Sequence, residues 1–192
     1  MKKNLIIIGA IVLIGLWAMG MYNSMVKMDE KVGAQWANVE TSYQRRADLI
    51  PNLVSTVKGY AAHEKETLEA VIKARSEATS TKIDPSNLTP EKMQQFQQAQ
   101  SGLTGALSKL LLVVERYPDL KANQNFLELQ AQLEGTENRI SVERRKFNEA
   151  AKQYNQYIRM FPKNFLAGAF GFEKKAYFEA AEGSKEVPKV EF

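Results

Sequence analysis

Apolar and small side chains recur at steps of three and four along most of this chain, and the pattern grows out of a stretch with no polar break. Residues 5–22, Leu-Ile-Ile-Ile-Gly-Ala-Ile-Val-Leu-Ile-Gly-Leu-Trp-Ala-Met-Gly-Met-Tyr, are eighteen residues without a charge. As a helix they cover about 27 Å, close to a hydrocarbon core of about 30 Å, which predicts a transmembrane helix. Beyond it Met25/Val26, Val32/Gly33, Trp36, Val39, Tyr43, Ala47, Ile50, Leu53/Val54, Val57, Tyr60/Ala61, Leu68, Val71, Ala74 and Ala78 keep one helical face apolar, with Asp29 and Glu64 as polar exceptions. Pro51 has no N–H to donate to the carbonyl of Ala47 and would normally end or kink a helix. The phase survives it, because Tyr43, Ile50 and Val57 are spaced by seven across the proline. One long helix, kinked at Pro51 and running from the membrane to about Ser80, is therefore expected over two helices, the second capped by Asp48 with Pro51 in its first turn.

Residues 79–90 gather Ser, Thr, Asp, Asn and two prolines and read as the one sizeable loop. Thr89-Pro90-Glu91 then supplies a cap, a proline at the first helical position and an acid in the first turn, predicting a second helix to about Tyr117. Its glutamine-rich start carries enough apolar positions (Leu103, Leu107, Leu110, Val114) to be helical rather than disordered. A third helix is expected from about Leu120, capped by Asp119, to Phe161, with Phe126, Leu133, Ile140, Phe147, Tyr154 and Phe161 as a seam at intervals of seven. The predicted fold is all-α: a long antiparallel helical bundle of three to four helices on an N-terminal transmembrane helix. Residues 1–4 precede the span, 23–164 form the bundle, and 165–192 form an aromatic and glycine-rich tail, with 187–192 extended. That tail, with Phe170 and Phe172, is expected to pack on the bundle; the sharper alternative is a contact surface for the membrane or a neighbouring chain.

The lysines at 2 and 3 precede the span, whereas Lys27, Asp29, Glu30 and Lys31 follow it without net charge, so the positive-inside rule puts the N-terminus in the cytoplasm and the bundle outside it. Without those two lysines the 192-residue chain has 24 basic against 22 acidic residues, too balanced for a nucleic-acid partner. A cleaved leader is the competing reading of the span, since Ala18-Met19-Gly20 is a passable cleavage site. An apolar run longer than the usual ~7–15 residues, and a helical pattern that continues out of it, weigh against cleavage.

Candidate chemistry is sparse. The chain has no cysteine, which removes disulfides, thiol nucleophiles and thiolate metal sites. His63-Glu64 begins like a zinc-protease helix, but Thr67 stands where the second histidine is needed, and His63 is the only histidine. No nucleophile elbow, P-loop or dinucleotide fingerprint is present, so no enzymatic activity, cofactor or metal is expected, and no small-molecule substrate is identified. Charge gathers instead at Arg45, Arg46 and Asp48, just before Pro51, where the first helix should pass the third with its Glu134, Glu137, Arg139 and Arg144. Pairing of Arg45 or Arg46 with Glu134 or Glu137 would set the register of the bundle; ordinary surface charge is the bland alternative.

Several motifs together resemble the LemA family of bacterial membrane-anchored helical proteins. They are Gln35-Trp36, Arg45-Arg46-x-Asp48-Leu49-Ile50-Pro51-Asn52-Leu53-Val54, Val57-Lys58-Gly59-Tyr60-Ala61-x-His63-Glu64, Ala74-Arg75, Glu115-Arg116-Tyr117-Pro118, Glu134-Gly135-Thr136-Glu137-Asn138-Arg139-Ile140, Phe147-Asn148, Tyr154-Asn155, Phe170-Gly171-Phe172 and Tyr177-Phe178-Glu179-Ala180. The resemblance implies an all-α bundle on a single span with no established catalytic activity, and some relatives act in building magnetosome membranes. The expected role is a structural or interaction protein of the bacterial envelope, bound to the lipid bilayer through its N-terminal helix and to protein partners or further copies of itself as a homo-oligomer. The alternative is an accessory regulator of a membrane protease or transporter.

Overall fold

A computed structural model describes residues 2–179. Its described residues form six α-helices: α1 (Lys2–Tyr60), α2 (Lys65–Ser80), α3 (Pro90–Val114), α4 (Pro118–Lys121), α5 (Gln124–Arg159) and α6 (Lys163–Ala169), with a 3-10 turn at Pro85–Asn87. The expected extended segment at 187–192 lies outside the described residues.

The long helices alternate in direction. Arg75 and Gln100 bond to the carbonyls of Ala47 and Ala78, so α2 runs back along α1 and α3 returns along α2. Along α5, Asn123 reaches Tyr60, Glu137 reaches Arg46 and Gln153 reaches Lys31, which makes α5 antiparallel to α1 over nearly the whole bundle. The apolar faces predicted from the three-and-four spacing meet in two core clusters. One, nearer the N-terminal segment of α1, packs Met25, Val32, Trp36, Val39 and Tyr43 against Phe96, Ile140, Phe147 and Tyr154. The other, at the far end, packs Ile50, Leu53 and Val57 against Leu68, Val71, Leu103, Leu110 and Phe126.

The N-terminal part of α1 takes no share in either core. Met21 is the first buried residue of α1, and the large side chains before it stand open, Leu5 and Leu13 at 69% exposure each. This is the one helix among the described residues long and apolar enough to cross a membrane. It passes from that segment into the core without a break.

Three expectations need correction. The first helix does not reach Ser80: it ends at Tyr60, and a tight turn closed by Glu64 N–H to Ala61 O at 3.0 Å reverses the chain into α2. Pro51, by contrast, sits inside unbroken helix. The carbonyl of Ala47 that the proline leaves without its helical donor accepts instead from Arg75 Nε at 2.7 Å, so a side chain of α2 replaces the missing backbone bond. Asp119 does not cap the last long helix either. It falls in the single turn α4, and Asn123 caps α5 by accepting from Phe126 N–H at 3.0 Å. Finally, Phe161 is not part of the seam. Phe126, Ile140, Phe147 and Tyr154 are buried and Leu133 is half-buried, but α5 ends at Arg159 and Phe161 is 79% exposed.

Candidate functional site

Between the two core clusters lies a polar layer built from one residue of α1. Arg46 follows Tyr43 by three and precedes Ile50 by four, so helical spacing aims it into the bundle, where it is 3% exposed. Its Nη1 donates to Glu137 Oε2 on α5 at 2.7 Å and to Thr104 Oγ1 on α3 at 3.1 Å, and its Nη2 donates to Gln100 Oε1 at 2.7 Å. Gln100 passes the chain of bonds on, its amide donating to the Ala78 carbonyl at the end of α2. The guanidinium also lies 5.1 Å from the centre of the Tyr43 ring. One side chain thus ties together α1, α3 and α5, and through Gln100 also α2. Its Nε finds no acceptor among the described residues, and Glu137 is half open to water, so the ion pair is only partly withdrawn from solvent.

A second set of bonds fastens the chain after α6. Gly171, at φ 75°, turns the backbone through the left-handed region as α6 ends, and residues 172–179 then run along α5. Asn155 and Asn148, seven apart on α5, each clamp a backbone residue with both amide atoms: Asn155 receives Lys175 N–H and donates to Lys175 O, and Asn148 does the same with Phe178, all at 2.8 to 2.9 Å. The clamped Phe178 stacks on Trp36 at 5.8 Å and meets Phe147 edge-on, with the Arg144 guanidinium 4.6 Å from the centre of its ring. Lys175 is buried and lies 2.9 Å from Asp29 Oδ1, an ion contact without the alignment of a hydrogen bond. This contact accounts for Asp29, one of the polar exceptions on the apolar face of α1. The other, Glu64, accepts from Arg116 and from the Tyr117 hydroxyl at 3.0 and 2.9 Å.

Burial shifts the groups that line these layers. It pushes the Tyr43 hydroxyl above its usual range, with the nearby Arg144 and Arg46 charges acting the other way. Burial also raises Tyr154, reinforced by Asp29 and Glu173. The Glu40 carboxyl is raised by burial as well, opposed by the Trp36 indole N–H and Lys82.

Glu40 opens onto a groove of about 500 Å³ between α1, the end of α2 and α3, rimmed also by Arg45, Asp48 and Lys82 and floored by Tyr43, Phe96 and Gln100. Arg45 and Asp48 are both exposed there, and Asp48 accepts from Gln44. The central motif is therefore split by the helix: Arg46 faces inward as structure, while Arg45 and Asp48 face outward on the mixed-charge rim of the groove. Pro51 is exposed on the outer side of α1. Glu134 is exposed; among the described residues it accepts from Gln130 alone and meets neither arginine. Phe170 is exposed and packs edge-on against Tyr22 at 4.9 Å, while Phe172 is half-buried 5.7 Å from the same ring. Among the described residues no group of three or more His, Asp or Glu side chains converges as metal ligands, and His63 is exposed in the turn between α1 and α2.

Sequence reasoning missed Arg75, Gln100, Asn148, Asn155 and Lys175. The asparagines had a signal, since each directly follows an aromatic of the α5 seam at the same heptad offset; a polar pair one step off a buried stripe marks where something polar must be held.

A family model described as the LemA family matches residues 35–192. The magnetosome protein MamQ 2 of Paramagnetospirillum magneticum AMB-1 is 30% identical over 175 residues, covering 82% of this chain, and MamQ of Magnetospirillum gryphiswaldense MSR-1 is 29% identical over 174 residues with the same coverage. The chain spans 64% of the length of each of these magnetosome proteins. Protein LemA of Metamycoplasma hominis is 24% identical over 163 residues, covering 85% of this chain and 71% of that protein.

Proposed function

We propose that this chain, which belongs to the LemA family, is a single-pass membrane protein without catalytic activity of its own, whose bundle stands on the non-cytoplasmic side and acts by holding other proteins or further copies of itself. One observation carries this reading. The exposed apolar segment and the first core helix are a single unbroken helix, α1, so an anchor in the bilayer is mechanically continuous with the bundle. Lys2 and Lys3 before that segment set the orientation. The mixed-charge groove beside α1 supplies a surface on which a partner could be read by charge as well as shape. The polar layer and the asparagine clamps serve the fold; they present no nucleophile paired with a base.

Crosslinking in intact cells, followed by identification of the products, tests the reading. The expected result is either a ladder of self-crosslinked chains or envelope proteins joined through the bundle. A single discrete protease or transporter would favour the role of accessory regulator instead, and a chain that remains uncrosslinked at every lysine of the bundle would contradict an interaction role altogether.

A further inference from the structure

The segment around α6 carries an apolar surface that neither core explains. Met160, Phe161, Phe165 and Phe170 are 53%, 79%, 68% and 58% exposed, four large apolar groups within eleven residues. The bundle does bury the inner side of this segment, through Ala167 and the half-buried Leu166. Its outer side is therefore a genuine exposed patch beside a packed one, and such patches mark contact sites.

The place of α6 identifies what covers it. Leu166 and Phe170 share a shallow apolar recess of about 330 Å³ with Gly15, Ala18, Met19 and Tyr22, and the Phe170 ring meets that of Tyr22 at 4.9 Å. These α1 residues are the outer end of the stretch long enough to span a bilayer. If residues 5–22 cross the membrane, α6 lies beside the span at headgroup depth, not above it, and the leaflet that surrounds the span must also surround the exposed phenylalanines. The charged groups fit the same depth: Arg159 is exposed, and Lys163 folds over the Tyr157 ring at 3.8 Å. A cation held at an aromatic next to an apolar face is the composition of an interfacial segment.

We propose that residues 160–170 are a second membrane contact, with Phe161, Phe165 and Phe170 seated at the headgroup–acyl boundary of the non-cytoplasmic leaflet, so that α6 braces the bundle where α1 leaves the bilayer. This rests on the reading of residues 5–22 as a span. The occupant is lipid and not a second chain because the patch is continuous with the surface that the lipid must already cover.

The absence of cysteine makes single labelling sites straightforward. The full chain carrying one cysteine in place of Phe161, Phe165, Leu13 or Leu112 would be spin-labelled and reconstituted in vesicles of phosphatidylethanolamine and phosphatidylglycerol. Relaxation by oxygen, which concentrates in lipid, is then compared with relaxation by a water-soluble nickel chelate. The labels at 161 and 165 are expected to favour oxygen severalfold over the label at 112 on the distal bundle, and to read shallower than the label at 13. Labels at 161 and 165 that behave like 112 while 13 is in lipid would overturn the proposal and leave the span intact. A water-exposed label at 13 would remove the span and the brace together. Labels at 161 and 165 shielded from both reagents and broadened by a second label nearby would assign the face to another copy of the chain.

Discussion

Replacing Arg46 with alanine is expected to lower the stability of the bundle by about 2–4 kcal/mol, read from the denaturant midpoint of the full chain in detergent micelles. The lower end of that range follows from Glu137, which is half exposed and regains water once its partner is gone. The upper end follows from Gln100, whose Oε1 is buried between the two apolar clusters and loses its donor, whereas Thr104 is exposed and regains water. Arg46→Met, which keeps the volume, is expected to cost less than Arg46→Ala, since an apolar layer can substitute for an ionic one. The pairing itself is read from a double-mutant cycle with Glu137→Ala, where a coupling of about 1–2 kcal/mol is expected. Strictly additive losses would show that the pair does not set the register of α1 against α5.

Arg75→Ala is expected to cost about 1–3 kcal/mol, because the Ala47 carbonyl is left without a partner in a position that is 2% exposed. In a Pro51→Ala background the same substitution should cost about 1 kcal/mol less, since residue 51 then has the N–H that the helix ladder requires. A cost of Arg75→Ala that is unchanged by the state of residue 51 would mean that the arginine does not stand in for the missing helical bond. The two predictions concern neighbouring turns of α1, where three of the motif's charged or special residues (Arg45, Arg46, Pro51) turn out to have different tasks.

The helical phase was legible along most of α1, α2 and α5. Side chains at three-and-four spacing bury the same face in both core clusters, and Thr89 caps α3 as its position before Pro90 and Glu91 requires. The break at 61–64 was hidden by that same regularity. Gly59 is the one breaker nearby, and the apolar positions keep their rhythm through Ala61 and Leu68 because a helical hairpin returns them to a common core. Asp119 and Asn123 are equally good caps in isolation, and the choice fell to Asn123 because α4 closes after a single turn behind Pro118. Phe161 continued a heptad count one step past the end of its helix. The antiparallel seams brought Arg45 or Arg46 opposite Glu134 or Glu137 without choosing among them or excluding ordinary surface charge; the choice of Arg46 and Glu137 depends on which side chains the helices turn inward. The partners of Asn148 and Asn155 were beyond reach, since residues 172–179 have no periodicity from which to place them against α5.

The proposed role requires the bundle to be carried outside the cytoplasm by α1. A single cysteine replacing Leu112, exposed at the distal end of the bundle, and challenged with a membrane-impermeant thiol reagent in sealed right-side-out vesicles tests this directly. The prediction is full labelling before the membrane is opened, with no further gain after detergent. Protection that disappears only when the vesicles are permeabilised would place the bundle on the cytoplasmic side and contradict the account.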